Sequence, residues 1–188
     1  MDFTQQIDSY FNRLKNAIDA LERAEINGVM NLLIEAYQKE QQIFIMGNGG
    51  SASTASHFVC DFNKGISLNR AKKFKMISLC DNIPTMMALA NDEGYDSIFV
   101  EQLKCFLQPG DLVIGISGSG NSENVIQAIT YANQNGNTTI SLTGYDGGKL
   151  KQACQFGIHV DLPDMQITED IHMILDHMMM KILSATDL

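Results

Sequence analysis

The sequence has no tryptophan and only three prolines in 188 residues, and its four cysteines, Cys60, Cys80, Cys105 and Cys154, are too far apart for a CxxC or zinc-ribbon pattern. A disulfide scaffold and a cysteine-based metal site are therefore not expected. No cysteine adjoins a motif that would depress its pKa, so a nucleophilic thiol has no support, and we expect reduced, mostly buried thiols. Basic residues are scarce as well: 13 Lys and Arg stand against 22 Asp and Glu, a formal net charge of -9. That balance argues against direct binding of nucleic acid, whose phosphates are held by cations that displace counterions. No apolar run approaches the roughly 20 residues needed to cross a bilayer. The opening stretch MDFTQQIDSYF lacks the basic and apolar regions of a signal peptide. These absences predict a cytoplasmic protein with no membrane partner.

What is present suits one core. Apolar residues make up 45% and charged residues 19% of the chain, enough to fold residues 1–188 as a single domain without disulfides or a structural metal. Phe3, Ile7, Tyr10, Phe11, Leu14, Ile18 and Leu21 recur at spacings of three and four, which predicts a helix of about six turns. A second helix over 26–39 turns Val29, Leu32, Leu33 and Tyr37 toward a core, with Gly28 as its weak point. Short apolar runs follow at 43–46, 75–79, 112–116, 138–142 and 157–160, separated by helical stretches. Such alternation predicts an α/β fold: a doubly wound, five-stranded parallel sheet, covered on both faces and preceded by two long N-terminal helices. A last helix over 165–183 carries Met173 and Met178 to Met180, adaptable filler for a core or an interface.

Ligands of such sheets bind beyond the carboxyl ends of the strands, and two loops there stand out. After the first strand come Gly47, Asn48, Gly49, Gly50 and Ser51, opening a helix that bears His57 and Asp61. Glycines admit a ligand close to the backbone, and a new helix offers unpaired N–H groups to an anion; the same residues could equally form a tight connection. After the third strand come Ser117, Gly118, Ser119, Gly120, Asn121 and Ser122. Three serines exceed what one helix cap needs, and with a helix N-terminus they can cradle a phosphate without Lys or Arg. No GK[ST] follows and GxGxxG is absent from the first turn, so a nucleotide is poorly supported and a small monophosphate fits better.

GNGGSASTASHF at 47–58, ANDEGYDSIF at 90–99, ISGSGNSENVIQAI at 116–129, SLTGYDGG at 141–148 and ITEDIHMILDH at 167–177 together resemble the sugar isomerase (SIS) domain family, in its phosphoheptose isomerase branch. The resemblance implies an aldose–ketose isomerase acting on sedoheptulose 7-phosphate. It also implies a homotetramer whose sites draw on more than one chain, residues 1–40 serving oligomerisation, and a zinc ion in many members. By motif, Asn48, Gly49, Gly50, Ser51, Asn91 and Asp92 would contact the sugar, while Ser117, Gly118, Ser119 and Ser122 would hold the phosphate. His57, Asp61, Glu169 and His177 would form the metal set, with Asp61, Glu169 and His177 the catalytic groups. The chain departs from the family pattern at Asp61 (usually Glu), Glu169 (usually Gln) and Gly118 (commonly Thr). An isomerase of another phosphosugar, or a noncatalytic tetramer that binds the bacterial replication initiator, are the alternatives.

The residues themselves make chemical sense of that set. His57 and Asp61, at i and i+4, share a helix face, and Glu169 and His177 lie about 80° apart on a helical wheel. Two imidazoles and two carboxylates suit tetrahedral zinc; the alternative is that Asp61 serves only to orient His57. Isomerisation through an enediol needs a base at carbon and a proton donor at oxygen. Asp61, or Glu169 in its place, is the expected base and His177 the donor. Tyr145 and Asp146 lie at the ligand end of the sheet or simply form a turn. His172 and Asp176, about 140° and 100° around from His177, are expected to pair at the surface or between subunits.

Overall fold

A computed structural model describes all 188 residues. Two helices come first, α1 (Thr4–Asp19) and α2 (Arg23–Gln38). The strands are β1 (Gln42–Met46), β2 (Lys75–Ser78), β3 (Leu112–Ser117), β4 (Thr138–Thr143) and β5 (Phe156–His159), and all pair in parallel in the order β2-β1-β3-β4-β5. Between them run α3 (Gly50–Cys60), α4 (Ile83–Asp92), α5 (Val100–Phe106), α6 (Glu123–Gln134) and α7 (Gly148–Ala153), and α8 (Met165–Ser184) closes the chain. The doubly wound, five-stranded parallel sheet is thus the one its sequence predicts.

Two apolar layers hold the sheet. Residues of α2, α3 and α8, including Leu33, Ala55, Ile171 and Leu175, pack with Ile43, Ile45, Ile114 and Ile116 on one face. On the other, Phe99, Leu103, Val125 and Ile129 of the α5–α6 side cover Phe44, Met46 and Val113. Full burial of each such side chain stabilises by about 1.5–3 kcal/mol. Gly115 allows α6 its close approach, since a Cβ there would meet Val125 Cγ1 at 2.8 Å.

Three expectations need correction. The first helix ends at Asp19, so Leu21 enters the core from the connector, and α1 itself buries no residue. Phe3, Ile7 and Phe11 are 51–58% exposed, because the apolar stripe of α1 exceeds what this one chain covers. Edge strand β2 leaves Ile77 36% exposed, so the sheet is not fully covered there. The cysteines are free but not mostly buried: Cys60 and Cys105 are exposed, lying on the solvent sides of α3 and α5. Burial does raise the Cys80 thiol pKa and pushes that of Cys154 up to about 12.

The order of the strands matters for function. From β1 the chain moves outward to β2, then returns to place β3 on the other flank of β1. The loops after β1 and β3 therefore leave neighbouring strand ends in diverging directions, the place where such sheets form a ligand crevice.

Candidate active site

Helix α3 does not end where its α-geometry stops. It passes at Asp61 into a π-helical turn, Asp61–Ile66, a feature that often marks functional positions. The turn is fixed from below by aromatic packing: Phe62 is fully buried, stacked on Phe58 at 5.8 Å and edge-on to Phe74 at 5.0 Å between centroids. Asn63 clips it to β2 by donating to the Met76 carbonyl (2.7 Å) and accepting from the Met76 N–H (3.0 Å). The Ser67 hydroxyl bridges the Phe62 carbonyl and the Phe74 N–H. Asp61, at the head of the turn, inherits this rigidity.

His57 and Asp61 do share one side of this helix, with His57 Nε2 3.8 Å from Asp61 Oδ2. Helix α8 brings His177 to the same place, its Nε2 3.1 Å from His57 Nε2. The fourth member is Asp176: one ligand atom from each of His57, Asp61, Asp176 and His177 lies within 4.8 Å of all the others. Asp176 is fully buried, and both its oxygens and Asp61 Oδ2 lack any hydrogen-bond partner. Burial, and secondly the charge of Asp61, push the Asp176 carboxyl up to about 8. These orphaned oxygens fit a divalent cation. Zinc with nitrogen and oxygen ligands near 2.0–2.2 Å would set its ligands about 3.3–3.6 Å apart, and the two imidazole nitrogens, 3.1 Å apart, already approach that spacing.

Neither His172 nor Asp176 is at the surface, contrary to expectation. Both are wholly buried, and they make no hydrogen bond to each other. Neither ring nitrogen of His172 has a partner; burial pushes its pKa down to about 4, against a weaker opposing pull from the Thr143 backbone. Glu169 stands apart from the cluster. Its carboxylate packs on Gly50, at the start of α3, where any Cβ would overlap it. The wheel angle between Glu169 and His177 is favourable, but eight residues of helix also separate them by about 12 Å along the axis. Asp170 is engaged elsewhere, accepting from the Tyr10 hydroxyl of α1 at 2.5 Å.

The loop after β1 presents Asn48 and an α3 N-terminus that no side chain caps. Gly49 sits at φ 55°, and Ser51 is buried against Gly47. Asn48 and Asn124 exchange amide hydrogen bonds of 2.9 Å, joining this loop to the first turn of α6, while Tyr95 donates to Asn48 Oδ1 at 2.8 Å. Asn91 and Asp92 end α4, exposed and hydrogen-bonded to one another (2.7 Å). Around the second loop, Ser117 and Ser122 hydroxyls meet at 3.0 Å, and Ser122 makes no capping bond to α6. A plain helix cap therefore does not account for that serine. Ser119 accepts from the Asn121 N–H. A Cβ on Gly118 would strike Met165 Sδ, so a threonine there would require the methionine to move. Tyr145 and Asp146 belong to a turn that braces this loop: Gly144 N–H donates to Gly118 O and Leu150 N–H to Gly120 O, each at 2.9 Å.

Residues 7–144 match the family model of the SIS domain, well over half of the chain. The chain belongs to the SIS domain family. Among curated SIS relatives it is 36% identical over 166 residues to a phosphoheptose isomerase of Helicobacter pylori (strain P12), covering 88% of this chain and 85% of the relative. It is 37% identical over 154 residues to a probable phosphoheptose isomerase of Thermoplasma acidophilum, covering 82% and 84%. Among solved structures, phosphoheptose isomerase from Neisseria gonorrhoeae superposes with a TM-score of 0.89 at 26% identity, over 98% of this chain and all of that one. Relatives at this identity and coverage make the chain an enzyme of the sugar-phosphate isomerase class.

Within this SIS domain, sequence reasoning missed Asp176, Asn124 and Tyr95. Asp176 and Asn124 are buried polar residues on helix faces, and their sequence signal is a polar residue repeating beside an apolar row. Tyr95 lies within a family motif but gives no local cue of its own. No helix of the chain is long and apolar enough to cross a membrane.

Proposed function

We propose that this SIS-domain enzyme interconverts sedoheptulose 7-phosphate and a D-glycero-D-manno-heptose 7-phosphate through an enediol, in the cytoplasm and as a homotetramer. The observation that carries the reading is the meeting of His57, Asp61 and His177 within 4.8 Å, in a domain whose two Gly- and Ser-rich loops open at neighbouring strand ends. Relatives named phosphoheptose isomerase support the substrate. The exposed apolar stripe of α1 (Phe3, Ile7, Phe11) supports residues 1–40 as the segment that packs between copies.

Ser117, Ser119 and Ser122 hydroxyls, the Gly118 backbone and the α6 N-terminus hold the phosphate. Asn48, Gly49, Gly50 and the Ser51 backbone, with Asn91 and Asp92, line the sugar path, and Glu169 adds a carboxylate beside Gly50. Asp61 is the base: Oδ2 is sealed in the cluster, while the side chain keeps 13% of its surface exposed, from which it meets a carbon-bound proton. His177, exposed at the rim, donates a proton to the carbonyl oxygen as the enediol forms and takes one from the neighbouring hydroxyl as it collapses, while Asp61 returns its proton to the adjacent carbon. His57, Asp61 and His177 would also hold zinc, which when bound would supply Lewis-acid polarisation of the substrate.

The test is turnover of sedoheptulose 7-phosphate by the intact protein, stripped of metal and zinc-loaded, with His177→Ala as comparison. Removing a positioned acid or base costs about 100- to 10,000-fold, so activity in one or both wild-type forms should fall by that factor in the variant. A folded wild-type tetramer without turnover would rule out the heptose substrate and direct the search to other ketose phosphates.

A further inference from the structure

We infer that Asn124 and Tyr95 are positioning residues, holding the Asn48 amide in one orientation so that it meets the substrate only as a hydrogen-bond donor. The inference rests on the proposed function, which sets Asn48 beside the sugar, and adds the polarity of that contact and the residues that fix it. The orientation follows from a chain of bonds that begins on the backbone. Val125 N–H, in the first turn of α6, points at one terminal atom of the Asn124 side chain, 2.9 Å away. An N–H can only donate, so that atom is the Asn124 oxygen. The same oxygen faces the Asn48 side chain at 2.9 Å, so the Asn48 atom turned toward it is the nitrogen. Asn48 Oδ1 is then the partner of Asn124 Nδ2 (2.9 Å) and of the Tyr95 hydroxyl (2.8 Å).

Counting donors and acceptors leaves one group unspent. A side-chain amide has two N–H donors and an oxygen with two lone pairs. Both lone pairs of Asn48 Oδ1 are filled and one N–H is bound to Asn124, which leaves the second N–H for a ligand. Asn124 is buried, whereas Asn48 is half-buried and Tyr95 is 56% exposed, so the network is anchored inside and reaches the loop surface at Asn48. The residues that follow open α3, whose N-terminus no side chain caps, and a helix N-terminus favours negative charge. Amide donor and helix dipole thus act with one sign. They suit an oxygen of the reacting carbons, which gains charge as Asp61 takes the carbon-bound proton, and a donor aimed there favours the transition state over the bound ground state. With the amide reversed, Asn48 would offer a carbonyl oxygen and could meet only a hydroxyl, whose charge changes little.

Two ligands of the intact protein separate this role from a purely structural one. The first is a six-carbon sugar hydroxamate 6-phosphate, whose two hydroxamate oxygens imitate those of the enediolate. The second is heptitol 7-phosphate, which keeps the phosphate and hydroxyls but has no carbonyl. Calorimetry gives the Kd of each for the wild type, Asn124→Ala and Tyr95→Phe, with thermal melts as a check on folding. Asn124→Ala should weaken the hydroxamate about tenfold and Tyr95→Phe about threefold, while heptitol phosphate stays within about twofold in both. Asn48→Ala, which removes the donor itself, should lower kcat by about 100-fold. Equal weakening of the two ligands, or an unchanged hydroxamate Kd in both positioning variants, overturns the inference. So does a wild type that binds the hydroxamate no more tightly than heptitol phosphate. Wild-type turnover of sedoheptulose 7-phosphate judges the isomerase reading separately: with turnover intact, any of these failures strikes the amide assignment alone.

Discussion

Around the 117–122 loop almost every close-packed group has a partner: Gly118 and Gly120 carbonyls accept from the β4–α7 turn, Lys149 N–H reaches Asn121 Oδ1, and two serine hydroxyls meet. At the His57–Asp61–Asp176–His177 cluster the opposite holds, with three carboxylate oxygens buried and unpaired. Nearby His172 is unpaired as well. The difference separates two tasks. On the proposed function, a phosphate, the same in every turnover, would be best met by a loop already locked in shape, whereas a site for a cation and a moving proton would need donors held ready and unspent.

The contrast breaks most severely at Gly120. Its φ is 67°, and a Cβ would overlap the Gly147 carbonyl, so Gly120→Ala meets a backbone penalty and a steric one. We expect a loss of about 3–5 kcal/mol, a melting temperature lower by about 10 °C, and a KM for the phosphosugar raised at least tenfold. Gly49→Ala provides the control: nothing lies within 4 Å of the new carbon, and the backbone at φ 55°, ψ -120° alone should cost about 1–3 kcal/mol. Equal losses in urea melts of the two variants would show that the β4–α7 turn does not lock the loop.

His172 sharpens the other side. Its native pKa near 4 lies below the unfolded value of 6.5, so between those values the unfolded chain binds more protons and stability rises with pH. The contribution is complete above pH 6.5 and is lost as pH falls toward 4, amounting to about 3 kcal/mol at most. Denaturant melts from pH 7.5 to 4.5 should therefore show a slope that His172→Leu reduces. An unchanged slope would mean that His172 finds a proton-sharing partner in solution.

These two regions were not equally legible in the sequence. Glycines and serines after a strand announce a loop chemistry directly, and residues 117–122 and 47–51 lie where their types predict. On α8, His172 and Asp176 were misread because only their angles from His177 were weighed. Ile167, Ile171, Leu175, Met179 and Leu183 form a buried row at steps of four, and Thr168, His172 and Asp176 form a second buried row one residue on. Noticing that second row would have placed Asp176 inward beside His177 and taken His172 off the surface. The π-helical turn at Asp61 had no local signature at all. It depends on Phe62, Phe74, Asn63 and Ser67 agreeing across the chain, which is tertiary information. The exposed stripe of α1 was legible as a stripe, but not which surface covers it.

Asn124 joins the two regions, and altering it should have the smallest effect of the three. It is 1% exposed, and it holds Asn48 of the 47–51 loop to the first turn of the helix that follows the 117–122 loop. In Asn124→Ala the Asn48 oxygen keeps its bond from Tyr95, while its amide N–H loses a partner near solvent, at a cost of about 1 kcal/mol. Stability should thus fall little. On the proposed function Asn48 contacts the sugar, and such a side chain left free to turn is worth roughly tenfold in kcat/KM; because the 117–122 loop keeps its own bracing, the loss should fall on kcat more than on KM. Tyr95→Phe, which removes the other bond to Asn48, should produce a similar but weaker pattern. If Asn124→Ala instead raises KM with kcat unchanged, Asn124 would be supporting the phosphate side, and the two loops would have to be treated as one braced unit.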